Sequence, residues 1–136
     1  MKKVFVDSGG FFALLAAGDQ FHQHAAGLFA RANEETWQLI TTNAVVVETY
    51  SLILVRSRNG RSGAISFLDM ISTDSFTVER IRRSDEDRAI RLLRSHTDKD
   101  YSLCDALSFV VMERLEVQEA IAFDRHFREY GRFLIL

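Results

Sequence analysis

Short β-branched and aromatic runs recur along this chain, each followed by a stretch with helical spacing, and that alternation restricts the folds open to it. Val4-Phe5-Val6, ended by Asp7-Ser8-Gly9-Gly10, predicts a buried strand running into a turn. Trp37 to Ile40, Phe76 to Val78, Ala120 to Phe123 and Phe133 to Leu136 are the further strand candidates. Phe11 to Ala17, stopped by Gly18, and Phe21 to Ala32, with apolar residues at 21, 25, 28, 29 and 32, read as helices. Asn43 reads as the cap of a helix from Ala44 to about Arg56. Val45-Val46-Val47 suits a strand as well, but the length and nearly continuous apolarity of the segment favour a buried helix. Ala64, Ile65, Leu68 and Ile71 mark another helix after the break at Gly60. Ser84 before Asp85-Glu86-Asp87, and Ser102 before Leu103-Cys104-Asp105, start two more. Strands that alternate with helices predict a mostly parallel sheet covered on both faces, in a single domain spanning 1–136.

Composition narrows the class of protein. With 47% apolar residues and eleven Phe among 136, the chain can bury a core without disulfide or metal staples. Its formal charge of −2 excludes a general polycation, so any contact with nucleic acid must come from a local basic patch. The lone cysteine, Cys104, rules out an internal disulfide and fits a reducing compartment. Asp7 interrupts the first apolar run before it reaches signal-peptide length, and no apolar run is long enough to span a membrane. The expectation is a soluble, cytoplasmic protein.

Four carboxylates stand where a merely solvated acid would not be placed. Asp7 and Asp124 each follow a strand, and ligands of open parallel sheets bind beyond the carboxyl ends of their strands. An acid there is also a natural cap for the next helix. Glu48 sits in the apolar run Ala44 to Val55, where its helical neighbours Ala44, Val45, Ser51 and Leu52 offer no counter-charge. It needs a distant arginine or a metal. Asp105 has no charge partner nearby either, although Ser102-x-x-Asp105 has capping-box spacing. If the four converge, repulsion among them calls for a divalent cation. Oxygen donors with no His or Cys cluster select Mg²⁺ or Mn²⁺, and such a site suits phosphodiester hydrolysis.

In chain order these stretches resemble the PIN-domain family, particularly the bacterial VapC-like toxins. The matching segments are Val4-Phe-Val-Asp7-Ser8, Asp19-Gln-Phe-His22, Thr41-Thr42-Asn43-Ala-Val-Val-Val-Glu48, Tyr101-Ser-Leu-Cys-Asp105-Ala and Ala122-Phe-Asp124-Arg-His-Phe127. The resemblance implies a three-layer α/β/α sandwich around a parallel sheet of four or five strands. It implies an endoribonuclease, the toxin of a type II toxin–antitoxin pair, with RNA as substrate, a cognate antitoxin as partner and a homodimer as assembly. By position, Asp7, Glu48, Asp105 and Asp124 match the family's acidic site for one or two Mg²⁺ or Mn²⁺ ions. Ser8 matches a small hydroxyl residue beside the first acid, and Asn43 a polar residue, read here chiefly as a cap. Cys104 departs from the Ser or Thr usual before the third acid.

The remaining motifs weigh less. His22 and His24 point to different sides of a helix, which disfavours a zinc pair, and His126 reads as a surface or helix-start residue. Arg56, Arg58 and Arg61 form a basic loop, and Arg125 and Arg128 are the expected holders of an RNA backbone near the metal. Gly9-Gly10 lacks the spacing of phosphate-binding loops. The rival reading is a non-catalytic nucleic-acid-binding or protein-interaction module of the same fold.

Overall fold

The computed structural model describes residues 1–136. Five strands, β1 (Lys3–Val6), β2 (Gln38–Thr42), β3 (Phe76–Glu79), β4 (Glu119–Ile121) and β5 (Leu134–Ile135), form one sheet in the order β3-β2-β1-β4-β5. Every neighbouring pair is parallel. Seven helices connect them: α1 (Ser8–Leu15), α2 (His22–Glu34), α3 (Asn43–Arg56), α4 (Gly60–Ile71), α5 (Arg83–Ser95), α6 (Leu103–Arg114) and α7 (Arg125–Tyr130). The expected α/β sandwich is therefore present, with a sheet parallel throughout. No helix is long and apolar enough to cross a membrane.

The order of the strands fixes the layers. From β1 the chain steps outward to β2 and β3, then returns past β1 to β4 and β5. Right-handed crossovers put α1–α4 on one face and α5–α7 on the other. Two aromatic clusters mark those faces. Phe11 packs against Phe29, Phe67 and Phe76 on the first. On the second, Phe109 packs against Phe127, Tyr130 and Phe133, and Phe5 stacks on Phe127. Alternation along β1 sends Phe5 to the opposite face from Val4 and Val6, and all three are fully buried. The direction of travel reverses between β1 and β4, so the chain leaves these adjacent strands towards opposite faces and opens a crevice between them.

Helix α1 seats close to that reversal point. Gly10 is buried there, and a Cβ on it would lie 2.8 Å from the Ile121 carbonyl oxygen. Only glycine lets the helix approach the end of β4 so nearly.

Three local expectations are corrected. Strand β2 continues through Thr41 and Thr42, because both hydroxyls find partners: Thr41 donates to the Val6 carbonyl, and Thr42 accepts from the Val45 amide. Thr42, not Asn43, is thus the cap of α3. The Asn43 side-chain Oδ1 accepts instead from the Ile81 amide at 2.9 Å, tying the start of α3 to the chain leaving β3. Helix α3 is not buried all round: Val47, Leu54 and Val55 are exposed, Val55 by 80%. Asp85 lies in the first turn of α5 as expected, and it is also fully buried and paired through both oxygens with Arg114.

Candidate metal centre and active site

Strand geometry delivers two acids to the crevice and helices bring two more. Asp7 follows β1 directly, and its amide donates to the Ile121 carbonyl of β4. Asp124 follows β4 after a short link, Glu48 lies in the second turn of α3, and Asp105 in the first turn of α6. All four line one cavity of about 390 Å³, together with Ser8, Arg56, Ser102 and His126. The four acids singled out in the sequence therefore share one crevice.

The capping explanation separates them. Asp124 does cap α7, accepting from the His126 amide at 2.8 Å. Asp105 forms the capping box with Ser102, each side chain accepting from the other's amide at 3.0 Å. Its Oδ2 takes both that amide and the His126 ring at 2.7 Å, which leaves Oδ1 uncommitted. Asp7 occupies the N-cap position of α1 yet makes no cap bond. Its Oδ1 is sealed from solvent and has no hydrogen-bond partner at all. Capping accounts for two of these acids in part and for Asp7 not at all.

Nor does an arginine neutralise Glu48. No basic group lies within ion-pair distance of it, and its Oε1 accepts a hydrogen bond from the Ser8 hydroxyl. Glu48 is half-buried, because the face of α3 that carries it borders the open cavity. The one arginine in the cavity wall, Arg56, stands at the far end of the stripe Glu48, Leu52, Arg56 on α3.

Burial and like charge set the electrostatics. Burial pushes the Asp7 carboxyl up to about 8, and the nearby carboxylates of Asp105, Glu48 and Asp124 push in the same direction. Burial also raises the Cys104 thiol, with Glu48, Asp7 and Asp105 adding to the shift. A thiol held neutral in that way is no nucleophile.

No three His, Cys, Asp or Glu side chains are gathered tightly enough to enclose an ion as they stand. Even so, the set fits a hard dication. Asp7, with one carboxylate oxygen orphaned and buried, lines a cavity that it shares with three more carboxylates and no lysine, and a cation held there would offset their charge. Nitrogen and sulfur donors contribute little, since His126 is engaged with Asp105 and Asp124 and Cys104 is neutral.

Among the auxiliary residues, Ser8 lies in the site as expected, but Asn43 does not line it. Arg125 is exposed and turned to Glu129 at 3.5 Å, and neither it nor the exposed Arg128 borders the cavity. His126 stands at the start of α7, one of the two places expected for it, and it also belongs to the site, which the sequence reading did not assign to it. Its spacing two residues beyond Asp124 was the available signal, and the meeting of α6 with α7 gives that spacing its meaning.

A parallel sheet whose reversal point carries four clustered acids is the architecture of a PIN domain, and the chain belongs to that family: the PIN-domain model matches residues 4–133. It is 33% identical over 128 residues, 94% of each chain, to the 23S rRNA-specific endonuclease VapC20 of Mycobacterium tuberculosis. The crystal structure of that protein, a sarcin–ricin loop cleaving toxin, superposes with a TM-score of 0.87 at 32% identity over 95% of both chains. More distant structures share the fold alone. VapBC2 of Rickettsia felis, bound to a DNA fragment from its promoter, has a TM-score of 0.68 at 9% identity, covering 98% of this chain and 97% of that one. A toxin–antitoxin complex of Klebsiella pneumoniae has 0.64 at 13%, covering 98% and 95%. The chain is accordingly a homologue of the VapC toxin endoribonucleases, in a nuclease family that is typically metal-dependent.

Proposed function

We propose that this protein cuts RNA as the toxin of a type II toxin–antitoxin pair, using Asp7, Glu48, Asp105 and Asp124 to hold one or two Mg²⁺ or Mn²⁺ ions. The observation that carries the assignment is the sealed, partnerless Asp7 oxygen among three further carboxylates, in a chain 33% identical to a 23S rRNA-specific endonuclease. A non-catalytic module has no use for an uncompensated buried acid, which costs stability in every metal-free molecule. By the same relationship we assign a structured ribosomal RNA loop as substrate, a cognate antitoxin as partner and the bacterial cytoplasm as location. Residues 1–136 act as one PIN domain.

The roles follow from the contacts. Asp7, Asp105 and Asp124 would hold the dication through their oxygens, and such an ion would supply an acidified water and charge neutralisation at the scissile phosphate. Ser8 holds Glu48 by its Oε1, leaving the other oxygen to take a proton from the attacking water. His126 pins Asp105 through Oδ2, so that Oδ1 is presented to the cavity in one orientation. Arg56 supplies the positive charge at the rim of an otherwise acidic cavity, where an RNA backbone needs it. The exposed apolar stripe of α3, with Val47, Leu54 and Val55, is the surface we assign to a second copy of the chain.

Cleavage of a panel of structured RNAs, one bearing a sarcin–ricin-type loop, tests the assignment. Cuts that require Mg²⁺ or Mn²⁺, vanish with chelator and vanish in Asp105→Asn are the expected result. Undiminished cleavage by a folded Asp105→Asn protein would refute it.

A further inference from the structure

A second cavity, of about 570 Å³, adjoins the acidic one. Its walls are the end of α1 and the loop after it, with Phe12, Leu15 and Asp19, and the turn between α3 and α4, with Arg56, Arg58 and Asn59. Arg56 lines both cavities and stands where they meet. Resting on the nuclease reading above, we propose that this cleft is the subsite for an RNA nucleotide flanking the cleaved bond, with its phosphate on Arg56 and its base between the two loops.

Charge carries the first half. Along α3, Glu48, Leu52 and Arg56 lie four residues apart and share the face that borders the acidic cavity. From Glu48 to Arg56 the helix rises about 12 Å, enough to separate a phosphate at the metal from another phosphate farther along the strand. Neither Arg56 nor Arg58 has a carboxylate within ion-pair distance, and of the unpaired arginines these two line the cleft. Two unpaired guanidinium groups at the mouth of a cleft in a net acidic protein complement a polyanion.

The shape and polarity of the cleft carry the second half. Phe12 and Leu15 give it an apolar side on which a base can lie. The opposite turn is firmly built. The Asn59 amide donates to Ser57 Oγ, the Gly60 amide to the Ser57 carbonyl, and Gly60 holds a φ of +49° that favours glycine. That framework presents an Asn59 side chain with no hydrogen bond inside the protein, free to donate to and accept from a base edge. Asp19, the one acid in the cleft, already accepts from the Phe21 amide and repels phosphate, which sets the direction of the strand: phosphate at Arg56, base towards Asp19.

Binding without cleavage separates this subsite from the catalytic reading. In the Asp105→Asn background, with chelator present, fluorescence anisotropy reports binding of a short labelled single-stranded oligoribonucleotide across a salt series. Arg56→Ala should weaken binding about tenfold and lower the salt slope by about one, and Arg56→Lys should restore part of it. Asn59→Ala should weaken binding of that RNA and have little effect on an oligonucleotide with an abasic position next to the cut. Arg91→Ala, on the exposed side of α5, is the control that leaves binding unchanged. Unaltered affinity and salt slope in Arg56→Ala, from a wild-type protein that still cleaves RNA with Mg²⁺, would overturn the subsite while sparing the nuclease. The cleft would then be left for a polypeptide partner. Leu15→Ala, which removes part of the apolar side, should likewise weaken binding of the intact RNA more than that of the abasic one.

Discussion

Replacing Asp7 by Asn in the metal-free protein should raise stability while abolishing metal binding, because this acid is the most poorly accommodated charge in the fold. Its carboxyl is pushed from 3.8 to about 8 by burial and by its acidic neighbours. Between those pH values the folded protein holds a proton that the unfolded chain has released, so stability falls as pH rises through the window. Below pH 3.8 both states are protonated and the penalty is absent; above pH 8 both are ionised and it is complete. A displacement of about 4 units sets its ceiling on the order of 6 kcal/mol, and at pH 5 only about 1.6 kcal/mol remains. Water and salt in the open cavity screen part of this. A gain of at least about 1 kcal/mol at pH 8, or roughly 3 °C or more in Tm, is expected for Asp7→Asn. Differential scanning calorimetry in chelator at pH 5 and pH 8 measures it, and general pH effects cancel in the difference between the two proteins. Adding Mg²⁺ should then stabilise the wild-type protein and not the variant. A variant less stable than wild type at pH 8, or a difference of the same size at both pH values, would show that Asp7 is not a strained charge awaiting a cation.

The other predictions concern parts of the fold that support the site. Arg114→Ala should cost about 3–5 kcal/mol in urea denaturation, since it strands the fully buried Asp85 and also frees Glu79; a loss under 1 kcal/mol would mean that Asp85 finds water. Gly10→Ala should destabilise by about 1–3 kcal/mol by forcing α1 away from the Ile121 carbonyl, with a crystal structure or Tm to check it. Native Cys104 should resist iodoacetamide at pH 8 and react fully in denaturant, because burial and three carboxylates hold the thiol neutral; rapid native alkylation would contradict that.

The acids were legible because each broke a local pattern. Asp7 and Asp124 ended strands, and Glu48 interrupted an apolar helix, so the period that announces the element also exposes the exception. What depended on tertiary contact was not legible. Arg114 lies 29 residues from Asp85, beyond the nearer Arg82, Arg83 and Arg88, so sequence spacing does not single it out as the partner. His126 acquires its role from Asp105, 21 residues earlier, on another helix. Asn43 missed its cap role by one position, because the strand ran on through two buried threonines whose hydroxyls were satisfied. The exposure of Val47 and Val55 contradicts a hydrophobic pattern that, within one chain, says only that the face avoids water.

The strand order explains why such costly acids can share one site. β1 and β4 are neighbours although more than a hundred residues separate them, so the ends of the two central strands project together only after the chain has completed both faces of the sheet. Each acid is then anchored by its own element: Asp105 and Asp124 by the caps of α6 and α7, Glu48 by Ser8, and Asp7 by the backbone bond to Ile121. Rigid anchoring stops the carboxylates from relieving their repulsion by swinging fully into solvent. The two aromatic clusters and the Arg114 network stabilise the layers that impose this arrangement, and the repulsion that remains is concentrated on Asp7. A dication would gain affinity by relieving it, which makes the repulsion a source of metal binding instead of a flaw in the fold.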